Sequence, residues 1–111
     1  MRTSYFDPGR LRHRMVLQEA NRVADELGGQ IETWTEVAAV WTHIEAASAV
    51  PIRTADRETA EITHRIVLRR DERVQVGRRL LAGTRLFEIR ALRDLDETRR
   101  YFLCLTREKE A

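Results

Sequence analysis

Apolar and polar residues alternate along most of this chain, the pattern of strands with one buried face. After an Asp7-Pro8-Gly9 turn signal, Leu11, His13, Met15 and Leu17 alternate with Arg10, Arg12, Arg14 and Val16, which predicts a first strand over residues 10–18. Residues 19–30 are polar and close on Gly28-Gly29, so they read as a connection, with a short helical turn over residues 20–27 as the alternative. Trp34, Val37, Ala39, Val40, Trp41 and Ile44 mark a second strand within residues 33–47. Its apolar residues fall on both faces, so it is expected to lie centrally or to have its outer face covered by another chain.

Residues 48–59 break the alternation. Pro51 removes a backbone donor, and Arg53, Asp56, Arg57 and Glu58 leave no face for a core. This segment is predicted to be one long exposed loop between strands two and three, with a helix starting near Thr54 or Asp56 as the alternative for its second half. Its Ala49-Val50-Pro51-Ile52 stretch is too apolar for a purely solvated loop and implies a contact. Ile62, His64, Ile66 and Leu68 then alternate with Glu61, Thr63, Arg65, Val67 and Arg69 to give the clearest strand, ended by the Arg70-Asp71-Glu72-Arg73 turn. Residues 79–81, an Ala82-Gly83-Thr84 turn, residues 85–92 and residues 99–107 complete the series. Five or six short antiparallel strands in 111 residues predict an all-β, single-domain small barrel spanning residues 1–111, since closure hides strand edges economically.

Composition bounds the possibilities. A chain of 111 residues holds one domain, and 42% hydrophobic with 34% charged residues describes a heavily charged, modestly cored one. The longest uninterrupted apolar run, residues 37–41, is far below a membrane helix, and residues 1–9 lack a leader pattern, so a soluble protein that stays where it is made is expected, with no membrane partner. The net charge of +2 conceals segregation: residues 1–14 sum to +3, residues 18–63 to −6 and residues 65–100 to +5. Separate acidic and basic territories can orient a chain against copies of itself or against neighbours.

Catalytic chemistry is sparse, and no enzyme is expected. Neither Ser4 nor Ser48 sits in a nucleophile elbow, and Gly28-Gly29 lacks the spacing of a phosphate loop and its lysine. His13, His43 and His64 fall on three different predicted strands without local ligand spacing, and His13 and His64 share the apolar faces of theirs; packing histidines, with no metal and no cofactor, are expected. Acids such as Glu32, Glu36, Asp94 and Asp96 are read as capping or solvated groups, and Cys104, between Leu103 and Leu105, as a packed thiol. A nucleic-acid-binding barrel acting as a monomer is the main alternative. It fits poorly, because Trp34 and Trp41 lie in the acidic part while Phe87, Tyr101 and Phe102 in the arginine-rich part are needed for the core. An accessory domain of an enzyme complex ranks third.

The order of these features resembles a known family. Gly9-Arg10-Leu11-Arg12-His13-Arg14-Met15-Val16-Leu17-Gln18, the Asp25-Glu26-Leu27-Gly28-Gly29 turn, Trp34, Val37, Trp41 and Ile44 are similar to the first half of the phage head–tail joining proteins. These are the head-closure or stopper proteins of long-tailed phages, with relatives in gene transfer agents. Thr63-His64-Arg65-Ile66-Val67-Leu68-Arg69 resembles the central strand of that family, and Phe87-Glu88-Ile89 with Tyr101-Phe102-Leu103 resembles its end. The resemblance implies a β-barrel subunit in a homo-oligomeric ring, commonly twelvefold, in the neck of a virion or phage-like particle, assembled in the host cytoplasm. Its implied partners are a portal-bound adaptor, a tail terminator or tail tube protein, and packaged double-stranded DNA contacted without sequence specificity. The loop bearing Ala49, Val50, Pro51, Ile52, Arg53 and Arg57 is then the candidate to face the channel or a partner. Glu36 and Glu45 on the acidic side, with Arg65 and Arg69 on the basic side, are the ring-interface candidates.

Overall fold

The computed structural model describes the backbone of residues 6–53 and 59–110. A 3-10 turn, Pro8–Arg10, is followed by six strands: β1 His13–Ala24, β2 Gln30–Arg53, β3 Thr59–Arg69, β4 Arg79–Ala82, β5 Arg85–Asp94 and β6 Tyr101–Glu110. All pairings are antiparallel in the order β1-β2-β3-β6-β5-β4, and β4 returns to β1 to close the barrel.

The alternation seen in the sequence places Met15, Leu17, Ile66, Leu68, Leu80, Phe87, Ile89 and Cys104 in one buried cluster inside the barrel, joined by Val74 from the β3–β4 connection. Thr42 and Thr106 are also buried, and each hydroxyl donates to a strand carbonyl, of His13 at 2.8 Å and of His64 at 3.0 Å. Those bonds avoid the cost of dry, unpaired hydroxyls. A second, smaller cluster of Val67, Tyr101 and Leu103 is covered by Phe6, Leu11, Leu95 and Leu105. The N-terminal segment thus acts as a lid over β3 and β6.

Turn chemistry sets the hairpins. Between β1 and β2, the Asp25 carboxylate accepts from the backbone N–H groups of Leu27 at 2.9 Å and Gly29 at 2.7 Å, and Gly28 takes φ 82°, a conformation that disfavours any side chain. Between β4 and β5, Gly83 at φ 62° opens a two-residue turn closed by the Ala82–Arg85 pair.

Two segments depart from the expectations above. Residues 19–24 and 30–32 are neither connection nor helical turn: they extend β1 and β2 into a two-stranded ribbon, from Gln18 opposite Glu36 to Ala24 opposite Gln30. β4 leaves β1 at the Gln18–Arg79 pair, so beyond that point no other described strand flanks β1. A ribbon exposed on both faces has no burial to enforce alternation, which is why its sequence does not read as strand.

The expected long loop is likewise mostly hairpin. β2 pairs with β3 from Val50 opposite Ile62 to Arg53 opposite Thr59, after an irregularity between Ala46 and Val50. Pro51 is tolerated because β1 begins at His13, opposite Thr42, so that among the described strands this end of β2 pairs with β3 alone. Residues 54–58, with Arg57 and the alternative helix start, lie outside the described residues. β2 is flanked by β1 and β3, as its two-faced pattern suggested, and a 24-residue strand serving both ribbons stretches the molecule to 59 × 30 × 24 Å.

Candidate interaction surfaces

Among the described residues, groups suited to catalysis do not converge, and no cluster of three His, Cys, Asp or Glu side chains could hold a metal ion. Cys104 is fully buried, and burial pushes its thiol up to about 12, which removes the nucleophilic thiolate at neutral pH. His43 sits between Arg10 Nη2 and Glu45 Oε1, each 3.0 Å from its Nε2. His64 packs edge-on against Phe87 and approaches Glu108 at 3.8 Å. His13, expected on an apolar face, is exposed at the first residue of β1.

The segregation of charge along the chain is partly undone by strand pairing. Glu45, an expected interface acid, is exposed, lies 3.7 Å from Arg10 and pairs in register with Arg65, an expected interface base. The hydrogen bond from His43, helped by Arg65 and Arg10, holds the Glu45 carboxyl below its ordinary range. Glu19 is bound by Arg78 at 2.9 Å and Glu108 by Arg85 at 2.8 Å, so acidic and basic stretches far apart in sequence neutralise one another within one subunit. Glu36 is exposed on β2 opposite Gln18, and Arg69 is exposed on β3 with its guanidinium 5.9 Å from the Tyr101 ring. The four candidates therefore do not form two opposed patches; Glu45 and Arg65 are neighbours.

Four surface features remain among the described residues. The first is the β1–β2 ribbon, where Val23 pairs with Ile31 and both are more than half exposed, while Leu27 at the turn is 94% exposed. Its base is held to the barrel by Arg79, whose guanidinium lies 3.9 Å over the Trp34 ring and whose Nε donates to Gln18 Oε1 at 2.7 Å. The second is an open groove of about 310 Å³ lined by Pro8, Leu11, Trp41 and Arg69, in which Trp41 is 57% exposed. The third is the β2–β3 hairpin end, which carries Ala49, Val50, Pro51, Ile52 and Arg53 on the last stretch of β2. A further groove of about 360 Å³ runs between Phe6, Asp7 and Pro8 and the β5–β6 turn at Asp96, Thr98 and Arg100.

Sequence reasoning did not single out Leu27, Val23, Ile31 or the Arg79–Trp34 contact. The available signal was the apolar Leu27 inside the otherwise polar and glycine-rich Asp25-Glu26-Leu27-Gly28-Gly29 turn. Phe87 and Tyr101 are buried and Trp34 is covered by Arg79, so these three rings offer no stacking surface for nucleic acid.

Comparison with known proteins agrees with this architecture. No curated protein matches the chain. Among solved structures, a chain from the virion of a native gene transfer agent particle is 27% identical, superimposes with a TM-score of 0.67, and is matched over 90% of this chain and 94% of its own. The solution structure of a Shigella flexneri 2a protein shares the fold at 23% identity and a TM-score of 0.66, over 93% of this chain and 96% of its own. The family model described as phage head completion protein matches residues 6–109, which takes in all six strands but the last residue of β6. The chain belongs to the phage head completion protein family.

Proposed function

We propose that this chain is a structural, non-enzymatic component of the neck of a phage or phage-like particle, where copies of it form a ring between the portal-bound adaptor and the tail. The ring closes the DNA channel after packaging and presents the surface on which the tail terminator or tail tube docks. The observation that carries this reading is the family match over residues 6–109, supported by the likeness to a chain of a gene transfer agent virion. The fold is suited to the role: a closed barrel leaves few raw strand edges, while two ribbons at opposite ends of β2 reach toward different neighbours.

In this arrangement the β2–β3 end, with Ala49, Val50, Pro51, Ile52, Arg53 and Arg57, faces the channel, and its arginines meet phosphate without reading bases. The test is a particle preparation lacking this chain. Heads should fill and then lose DNA, or remain tailless, and supplying the chain in trans should restore tailed particles. Normal numbers of DNA-filled, tailed particles without it would reject the assignment.

A further inference from the structure

The β1–β2 ribbon projects beyond the barrel with Val23, Ile31 and Leu27 in water. Two-stranded ribbons are marginal on their own, and an apolar tip without a cover is disfavoured. The Arg14 end of the same chain is out of its reach: ten residues of extended β1 separate the tip at Ala24 from Arg14, about 33 Å at the usual rise per strand residue.

Near the other end of β1 lies a surface of matching chemistry. Trp41 is exposed beside Arg14, its register partner on β1, and shares an open groove with Leu11, Pro8 and Arg69. Arg12, Arg14 and Arg69 are exposed and have no ion-pair partner among the described residues. At the tip the signs are reversed. Arg22 pairs with Glu32 at 3.9 Å, which leaves Asp25 and Glu26 as an unbalanced negative charge beside Leu27.

From this complementarity we infer that the occupant of the Trp41 groove is the β1–β2 ribbon tip of a second copy of this chain, with Leu27 seated against Trp41 and Leu11, and Asp25 and Glu26 facing Arg14 and Arg69. One patch meets a different patch on the next copy, a head-to-tail contact that closes into a ring when the rotation permits. The inference rests on the ring assembly proposed above and names its interface. The apolar contact supplies affinity and the charges fix orientation.

The test uses particles assembled with the full-length chain. Glu26→Arg and Arg69→Glu, each alone, should lower the copies of this chain retained per purified particle roughly tenfold, because like charges then meet at the contact. The double variant E26R/R69E restores opposite charges in every interface of a ring of identical copies, and retention should return to within about twofold of the parent. In the double variant Leu27→Cys with Trp41→Cys, mild oxidation of particles should yield a ladder of multimers containing this chain alone. Cys104 is buried and does not compete. The interface is overturned if both single reversals are retained normally, if the charge swap fails to rescue, or if the oxidised particles yield monomer or cross-links to another virion protein. Absence of the unsubstituted chain from particles would instead overturn the proposed function, so the two failures are distinct.

Discussion

Removing the contact that fastens the β1–β2 ribbon to the barrel should cost measurable stability. Arg79 leaves β4 at its first residue and lays its guanidinium 3.9 Å over Trp34 of β2, while its Nε donates to Gln18 of β1. Partial burial lowers the Arg79 pKa, with Glu32 and Glu88 opposing that shift, so the cation is partly desolvated where it meets the ring. Desolvated cation–π contacts reach about 2 kcal/mol, against about 0.5–1 at fully exposed sites. A double-mutant cycle of Arg79→Ala and Trp34→Ala isolates the pair from the Gln18 hydrogen bond and from apolar burial by Trp34. We expect a coupling energy of about 1.5–2 kcal/mol from urea unfolding curves, with the m-value unchanged. Amide exchange in residues 20–24 and 30–34 should accelerate in either single variant, since the ribbon then frays from its base. A coupling below about 0.5 kcal/mol would refute the claim that this cation fastens the ribbon.

The core, two carboxylates and the buried thiol give further tests. Phe87→Ala removes the largest fully buried side chain, and its loss should cost about 3–5 kcal/mol in a denaturant titration, a large share of the total for a domain this size. Glu45 and Glu108 are held below their ordinary 4.5, chiefly by hydrogen bonds from His43 and Arg85. Stability from these carboxylates is complete above that value and is lost as pH falls through the lowered folded values. Melting temperature should therefore decline below about pH 4.5, by a modest amount because both groups are largely solvated. Glu108→Gln should flatten that decline, and an unchanged slope would exclude the pair as its source. Cys104 should not react with a thiol reagent at pH 8 in the folded protein and should react fully in denaturant; fast labelling of native protein would contradict its burial.

The interior of the barrel was legible along the chain, because burial on one face imposes a period of two. Residues 61–69 read as strand and form β3 from Thr59 to Arg69, and Leu11 through Leu17 announced β1 even though the strand itself begins at His13. Cys104, flanked by leucines, was correctly read as a packed thiol. The resemblance carried by the order of those motifs pointed to the family that the whole-chain match shows.

What local pattern could not express was pairing without burial. Residues 19–24 are strand because the neighbouring strand satisfies their backbone, not because one face is dry, and residues 50–53 pair with β3 across the Pro51 signal, so neither alternation nor that signal identified them. Charge sums misled for a related reason: Glu45 meets Arg10 and Arg65, and Glu19 meets Arg78, only once the sheet closes. One-dimensional order thus determined which residues make the core, since each side chain's hydrophobicity is its own property. Which polar strands pair, which charges cancel and which apolar residues are left at a ribbon tip were decided by tertiary structure, because those depend on neighbours far away in the chain.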